Sequence, residues 1–171
     1  MKSMFVAIAL AALAAGAARA QGRAAPFDSS LAQGRLLSDF PLTRLDGTVV
    51  RSGDALPGEG KWLLVYVQAN CRPCDRLLSL VKQDDHPELP LRMVIVTGGA
   101  RDTASGMRDK RVDLTAAQWY ADESREAWTA LHMAGAPMVF GVRDQTIQWS
   151  LSGMLKSDSD VKSILASWAA E

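Results

Sequence analysis

The chain has 171 residues, of which 48% are hydrophobic and 22% are charged, and its formal net charge at pH 7 is zero. This length and balance indicate one globular domain with a core of its own and leave too little chain for two comfortable domains. The charged residues form no basic run, so we expect no nucleic-acid partner.

The first twenty residues have the pattern of a secretory signal peptide. Lys2 supplies a positive start, residues 4–18 are apolar, and Ala18-Arg19-Ala20 has the form of a cleavage site. A membrane anchor is the alternative, but an apolar run of about 15 residues is shorter than the roughly 20 that a spanning helix needs. We therefore predict export to the periplasm and the following organisation: a cleaved signal peptide at 1–20, a flexible N-terminal arm at 21–37, and one domain at 38–171.

The domain begins with a predicted β-hairpin. Residues 40–45 and 48–51 are short alternating runs on either side of Asp46-Gly47, and an Asp-Gly pair favours the positive φ that a tight turn needs. Residues 53–60 are rich in Gly and Pro, which predicts a loop or a single helical turn. Residues 61–67 are apolar almost throughout, which is typical of a strand buried on both faces.

Helices and strands alternate through the rest of the chain. The patterns predict a helix over 75–83, a strand over 91–96, a helix within 97–111 and a strand over 117–121. A further helix contains Ala127, Trp128 and Leu131, and Ser124 is its predicted N-terminal cap.

The chain ends with a second predicted hairpin and a helix. Residues 138–142 and 146–151 alternate around a turn at 143–145, and a final helix carries one apolar stripe that consists of Val161, Ile164, Leu165 and Trp168. This order predicts an α/β domain in which helices flank a central mixed β-sheet with a parallel core.

The mature chain has only two cysteines, Cys71 and Cys74, three positions apart. In the oxidising environment of an exported protein, stabilising disulfides join residues that are distant in sequence. A bond between these two closes almost no loop and adds little stability through chain entropy. Because the pair also follows the predicted buried strand and opens the predicted helix, it favours a redox-active Cys71–Cys74 disulfide.

The start of a helix suits this chemistry. Its unpaired N–H groups and the positive end of its dipole both stabilise a thiolate. We therefore predict that Cys71 is the nucleophile and that Cys74, one turn further in, resolves the mixed disulfide. Pro73 presets a φ suited to the first turn. Arg72 has two interpretations: a charge that favours the thiolate and makes the disulfide more oxidising, or a solvated side chain at an exposed turn.

Metal binding is the alternative use of the two thiols. A structural zinc site usually needs a second pair of ligands, and the chain offers only His86 and His132, whose separation fits no zinc finger. A copper-delivery protein is the second alternative: it would use both thiols and a histidine, for which His132 is a candidate, although such proteins usually place the cysteines one residue further apart. We predict neither a metal nor a bound cofactor.

These motifs resemble the thioredoxin superfamily, most closely its periplasmic TlpA/ResA-like branch. The resemblance covers about residues 38–169 and rests on the strand before Cys71-Arg72-Pro73-Cys74 and on residues 131–140, where a loop and a proline precede a strand. It implies a thioredoxin-like fold with an N-terminal β-hairpin extension. It also implies that Pro137 is cis and faces the dithiol, and that the backbone of Ala136 pairs with an extended substrate.

The resemblance also implies a function. It predicts a thiol–disulfide oxidoreductase that exchanges electrons with protein thiols and disulfides, in cytochrome c maturation or in periplasmic reduction. A membrane thiol reductase would keep such a protein reduced, and we expect a monomer. A thioredoxin-fold module that binds a partner without turnover is a further alternative.

Several positions depart from the family pattern. Val65 stands where thioredoxin has a buried Asp, and Asn70 stands where a Trp commonly precedes the first Cys. Leu77 and Ser79 occupy positions where the TlpA/ResA-like branch often has Glu and Pro. The sequence therefore shows no obvious carboxylate base for Cys74.

Overall fold

The computed structural model describes residues 33–81, 92–153 and 157–170. The predicted signal peptide, most of the predicted arm and His86 lie outside these residues. The described strands form one mixed sheet in the order β1-β8-β7-β4-β5-β6-β2-β3. They are β1 (Arg35–Leu36), β2 (Pro41–Arg44), β3 (Val49–Arg51), β4 (Lys61–Gln68), β5 (Met93–Gly98), β6 (Gln118–Asp122), β7 (Met138–Arg143) and β8 (Thr146–Ser152).

Helices lie on both faces of this sheet. They are α1 (Ser52–Ala55), α2 (Arg72–Leu80), α3 (Arg101–Asp109), α4 (Glu126–Ala130) and α5 (Asp158–Ala170), with a 3-10 turn at Val112–Leu114. In the described part of the chain, no helix has the length and apolar character needed to cross a membrane.

Strand β4 is the centre of the molecule, since it pairs in parallel with β5 and antiparallel with β7. Its side chains alternate between two cores. Leu63, Val65 and Val67 belong to the first core, which contains residues of α2 and α5. Trp62, Leu64 and Tyr66 belong to the second core, which contains residues of β2 and α4. An apolar run without alternation is therefore explained by burial of β4 on both faces, as predicted.

Both predicted hairpins are present. β2 pairs with β3 around Gly47, whose φ is 93°, and the Asp46 carboxylate accepts a hydrogen bond from the Thr48 N–H at 2.8 Å. That hydrogen bond lowers the pKa of Asp46. β7 pairs with β8 around Asp144 and Gln145, which both have positive φ, as the common two-residue hairpin turn requires.

The boundaries of several elements differ from the prediction by a few residues, and Leu131, predicted within the fourth helix, lies just beyond α4. Helix α2 covers Arg72–Leu80 and begins before the predicted start, because the Cys71 side chain caps it by accepting from the Cys74 N–H. β5 runs two residues later than the predicted strand, so its pairing with β4 extends to Gly98. Arg35 and Leu36, at the end of the predicted arm, pair with β8 at one edge of the sheet.

The prediction that Ser124 caps the fourth helix is wrong. Arg125 adopts a left-handed conformation with φ 60° immediately before α4, and no side chain caps the helix from that position. The Asp122 carboxylate instead accepts hydrogen bonds from the N–H groups of Ala127 and Trp128 at 3.2 and 3.0 Å. A carboxylate two residues before Ser124 therefore satisfies the first turn.

Candidate functional site

The two cysteines form a disulfide where β4 meets α2. Their Cα atoms are 5.2 Å apart. Cys71 is half-buried at the N-terminal cap of α2, and its Sγ accepts a hydrogen bond from the Cys74 N–H at 3.2 Å. Cys74 is completely buried in the first core. A substrate can therefore reach the Cys71 sulfur more readily than the Cys74 sulfur.

Ala136 and Pro137 lie beside the disulfide, as the resemblance implies. The Ala136–Pro137 peptide bond is cis, and the Ala136 carbonyl oxygen is 3.9 Å from the Cys71 Sγ. Pro137 directly precedes β7, and its carbonyl accepts a hydrogen bond from the Gly153 N–H at 3.0 Å. The folding of β7 against β4 thus brings a sequence-distant backbone segment to the reactive sulfur.

Two grooves flank the disulfide. The first is mainly apolar and is lined by Pro73, Leu77, Leu80, Pro137 and Val161, with Arg76, Gly153 and Asp158 at its edge. The second lies between α2 and α3 and mixes polar and apolar side chains: its lining includes Asn70, Asp75 and Lys110 as well as Leu78 and Met107. An extended peptide could therefore approach Cys71 along an apolar or a mixed surface.

Arg72, for which two interpretations were open, is exposed. Within the described part of the chain it forms no ion pair, whereas the neighbouring Arg76 pairs with Asp158 at 2.7 Å. Arg72 is therefore a solvated cation next to the disulfide, and its effect on a Cys71 thiolate would be screened by water.

The carboxylate base that the sequence lacks near Cys74 is also missing from the described structure. No described carboxylate is hydrogen-bonded to either sulfur, and Val65 fills its position in the first core with a fully buried apolar side chain. Ser79, which stands in place of a proline, accepts hydrogen bonds from Arg111 at 3.1 and 3.2 Å. Arg111 also donates to the Asp75 carbonyl at 2.6 Å, so it ties the end of α3 to the helix that carries both cysteines.

One buried carboxylate is present, but on the other face of the sheet. Asp122 is fully buried and accepts a hydrogen bond from the Tyr66 hydroxyl at 2.9 Å, in the second core. Burial raises the pKa of Tyr66 well above its ordinary value, and the neighbouring Asp122 charge raises it further. Sequence reasoning missed this pair. The only available signal was an acidic residue directly at the end of an otherwise apolar strand.

His132 is the candidate third ligand of the copper-delivery alternative, beside Cys71 and Cys74. His132 is exposed, has a left-handed φ of 51°, and follows α4, where its N–H donates to the Thr129 carbonyl. Among the residues that the structure describes, no three His, Cys, Asp or Glu side chains are grouped so that they could hold a metal ion.

The described residues define a thioredoxin-fold protein with a Cys-x-x-Cys disulfide opposite a cis-proline. No protein-family model and no curated protein matches the sequence. Several solved structures are similar to the chain. A protein from Chlorobium tepidum described as a thiol:disulfide interchange protein DsbE is 19% identical, with a TM-score of 0.59 over 82% of this chain and 98% of that one.

Two further structures are similar to the chain. A secreted disulfide oxidoreductase of Mycobacterium tuberculosis, homologous to DsbE of E. coli, is 17% identical, with a TM-score of 0.56 over 75% of this chain and 95% of that one. A secreted thiol-disulfide isomerase of Corynebacterium glutamicum is 17% identical, with a TM-score of 0.55 over 79% and 86%. At these identities the similarity establishes the thioredoxin fold alone.

Proposed function

We propose that the chain is an exported thiol–disulfide oxidoreductase that acts on protein thiols and disulfides through Cys71 and Cys74. One observation carries the proposal: a half-buried Cys71 sulfur caps a helix and lies 3.9 Å from the backbone of Ala136, beside a cis-proline. Helix capping supports a thiolate on the accessible sulfur. The adjacent backbone supports an extended substrate as the partner.

The reaction needs no bound cofactor. In the reducing direction, the Cys71 thiolate attacks one sulfur of a substrate disulfide, forms a mixed disulfide and releases the other substrate sulfur as a thiolate. Cys74 then loses its proton and attacks the Cys71 sulfur, which releases the second substrate thiolate and restores the Cys71–Cys74 disulfide. Two electrons pass to the substrate, and the Cys74 proton goes to water or to an acid outside the described residues. The oxidising direction is the reverse.

The setting of the reaction is part of the proposal. The pattern of residues 1–20 supports export to the periplasm, and two of the similar proteins are described as secreted. A reductase role requires a donor that resets Cys71 and Cys74, which we propose to be a membrane thiol reductase. The predicted roles in cytochrome c maturation or periplasmic reduction, and the monomeric state, belong to the same proposal.

Trapping of mixed disulfides in cells tests the function. The Cys74→Ser variant lacks the resolving thiol, so a covalent intermediate on Cys71 should accumulate and appear as adducts that a reductant dissolves. Cys71→Ser is the matched control and should form none, because Cys74 is buried. Adducts with Cys71→Ser only would reverse the two roles, and adducts with neither variant would favour a binding module without turnover.

A further inference from the structure

Asp122 forms an unusual buried cluster on the face of the sheet away from the disulfide. Its Oδ2 accepts hydrogen bonds from the Tyr66 hydroxyl at 2.9 Å and from the Trp128 N–H at 3.0 Å, and its Oδ1 accepts from the Ala127 N–H at 3.2 Å. A buried carboxylate is costly unless donors replace its water. Three donors to one buried carboxylate therefore hold the groups around Asp122 in a single arrangement.

The cluster joins two segments that meet at the disulfide. Tyr66 lies on β4, five residues before Cys71, and is the register partner of Met138, the residue after Pro137. The Tyr66 ring also packs edge-on against the Trp128 ring, with centroids 5.6 Å apart. The strand that delivers the cysteines is thus linked to the start of α4.

A short path of contacts leads from α4 to the disulfide. The Trp128 carbonyl accepts a hydrogen bond from the Met133 N–H at 3.1 Å, and the Met133 side chain is buried in the second core. Three residues later, the Ala136 carbonyl oxygen lies 3.9 Å from the Cys71 Sγ. Displacement of the start of α4 would therefore move the backbone that faces the sulfur.

We propose that Asp122 is a positioning residue for thiol–disulfide exchange, which with Tyr66 holds α4 and residues 131–137 so that Ala136 and Pro137 keep their place beside Cys71. This role rests on the proposed function. Asp122 contacts neither sulfur and lies on the opposite face from Cys74, so it acts on the docking of an extended substrate and not on the thiolate.

The test compares two substrates for each reduced protein: an unstructured peptide that carries a disulfide, and hydroxyethyl disulfide, which is too small to use the Ala136 backbone. In Asp122→Asn the amide nitrogen replaces an acceptor and faces a donor. The peptide rate constant should fall by about tenfold or more, while the rate with the small disulfide and the titration midpoint of the Cys71 thiol stay the same. Tyr66→Phe removes one donor and keeps the ring, so its loss should be smaller.

Ser52→Ala is the matched control. The Ser52 hydroxyl oxygen is buried and accepts a hydrogen bond from the Phe40 N–H at 3.0 Å, and it forms no hydrogen bond to Asp122, Tyr66 or α4. The control should lower the unfolding midpoint and leave the ratio of the two rate constants unchanged. The positioning role is overturned if Asp122→Asn lowers the unfolding midpoint but leaves the ratio of the two rate constants unchanged, whether it slows neither substrate or both equally.

Two further outcomes are decisive. If Asp122→Asn does not fold, Tyr66→Phe decides, and an unchanged rate ratio in that variant overturns the role. If the unsubstituted protein reacts with neither disulfide, the proposed function fails, and the positioning role fails with it. A reactive unsubstituted protein with an unchanged ratio in both variants overturns the positioning role alone.

Discussion

Reduction of the Cys71–Cys74 disulfide should change the free energy of unfolding only slightly. The cysteines are three positions apart, so the bond closes a loop of about four residues, for which chain entropy gives about 2 kcal/mol at 25 °C. The reduced protein recovers part of this, because a negative charge at a helix N-terminus contributes about 0.3–1 kcal/mol. The expected net loss is therefore about 1–2 kcal/mol.

The helix that carries the cysteines does not depend on the disulfide. Leu77 and Leu78 of α2 are buried in the first core, together with Cys74. Each fully buried leucine contributes about 1.5–3 kcal/mol relative to an exposed one. These contacts exceed the contribution of the disulfide and persist when it is reduced.

Urea unfolding of the oxidised and the reduced protein, followed by tryptophan fluorescence, measures the difference. The midpoint should shift by about 0.3–2 M with an unchanged slope, because a domain of this size has a slope of about 1–3 kcal/mol per molar urea. A variant with Ser at both positions 71 and 74 is the control and should not respond to the reductant. Complete loss of the folding transition on reduction would refute this reasoning and identify a structural disulfide.

Three other changes have expected outcomes. Gly141→Ala should destabilise the fold by about 1–3 kcal/mol in urea unfolding, because a methyl group there would overlap the Trp149 indole; Gly106→Ala, in open space on α3, should be neutral or stabilising. The pKa of the buried Tyr66 is raised in the folded protein. Above about pH 10 the Tyr66 hydroxyl therefore loses its proton in the unfolded chain while it keeps it in the folded one. Stability should therefore fall by about 1.4 kcal/mol per pH unit there, a component that Tyr66→Phe should lack in urea midpoints measured across this range. Arg72→Ala should make the potential of the disulfide more reducing by no more than about 30 mV in glutathione equilibration, and a shift in the oxidising direction would contradict this.

Much of the fold could be predicted because its signals are local. The apolar run of β4 correctly predicted burial on both faces, and Asp46-Gly47 correctly predicted a turn whose glycine needs positive φ. The last helix carries Val161, Leu165 and Trp168 toward the first core, as their spacing predicts. Periodicity and turn chemistry act over a few residues, so one sequence is enough to read them.

The rest depended on contacts between distant segments. Ser124 has the right residue type for a cap, but the left-handed Arg125 gives that role to Asp122. The Tyr66–Asp122 hydrogen bond spans 56 positions, and Arg111 reaches Ser79 across 32. Side chains of these types are common at turns and surfaces, so only the folded chain shows which of them meet.

The candidate site also combines features that the sequence could predict with contacts that it could not. The pair of cysteines could be predicted from its spacing and from the strand before it, and the roles of Cys71 as nucleophile and Cys74 as resolving thiol stay a prediction. Ala136 and Cys71 are 65 positions apart, and the pairing of β7 with β4 brings them together. From the sequence, only the family resemblance implied this contact. The choice between the two interpretations of Arg72 depended on the exposure of its side chain, which only the structure shows.

The reduction potential of the Cys71–Cys74 couple tests the central claim most directly. The protein would be equilibrated in glutathione buffers of defined ratio, and the fraction of reduced cysteines read by alkylation and mass spectrometry. A redox-active dithiol should have a midpoint between about −270 and −120 mV, the range of thioredoxin-fold exchange proteins. A midpoint below about −300 mV, as in structural disulfides of secreted proteins, would contradict the account.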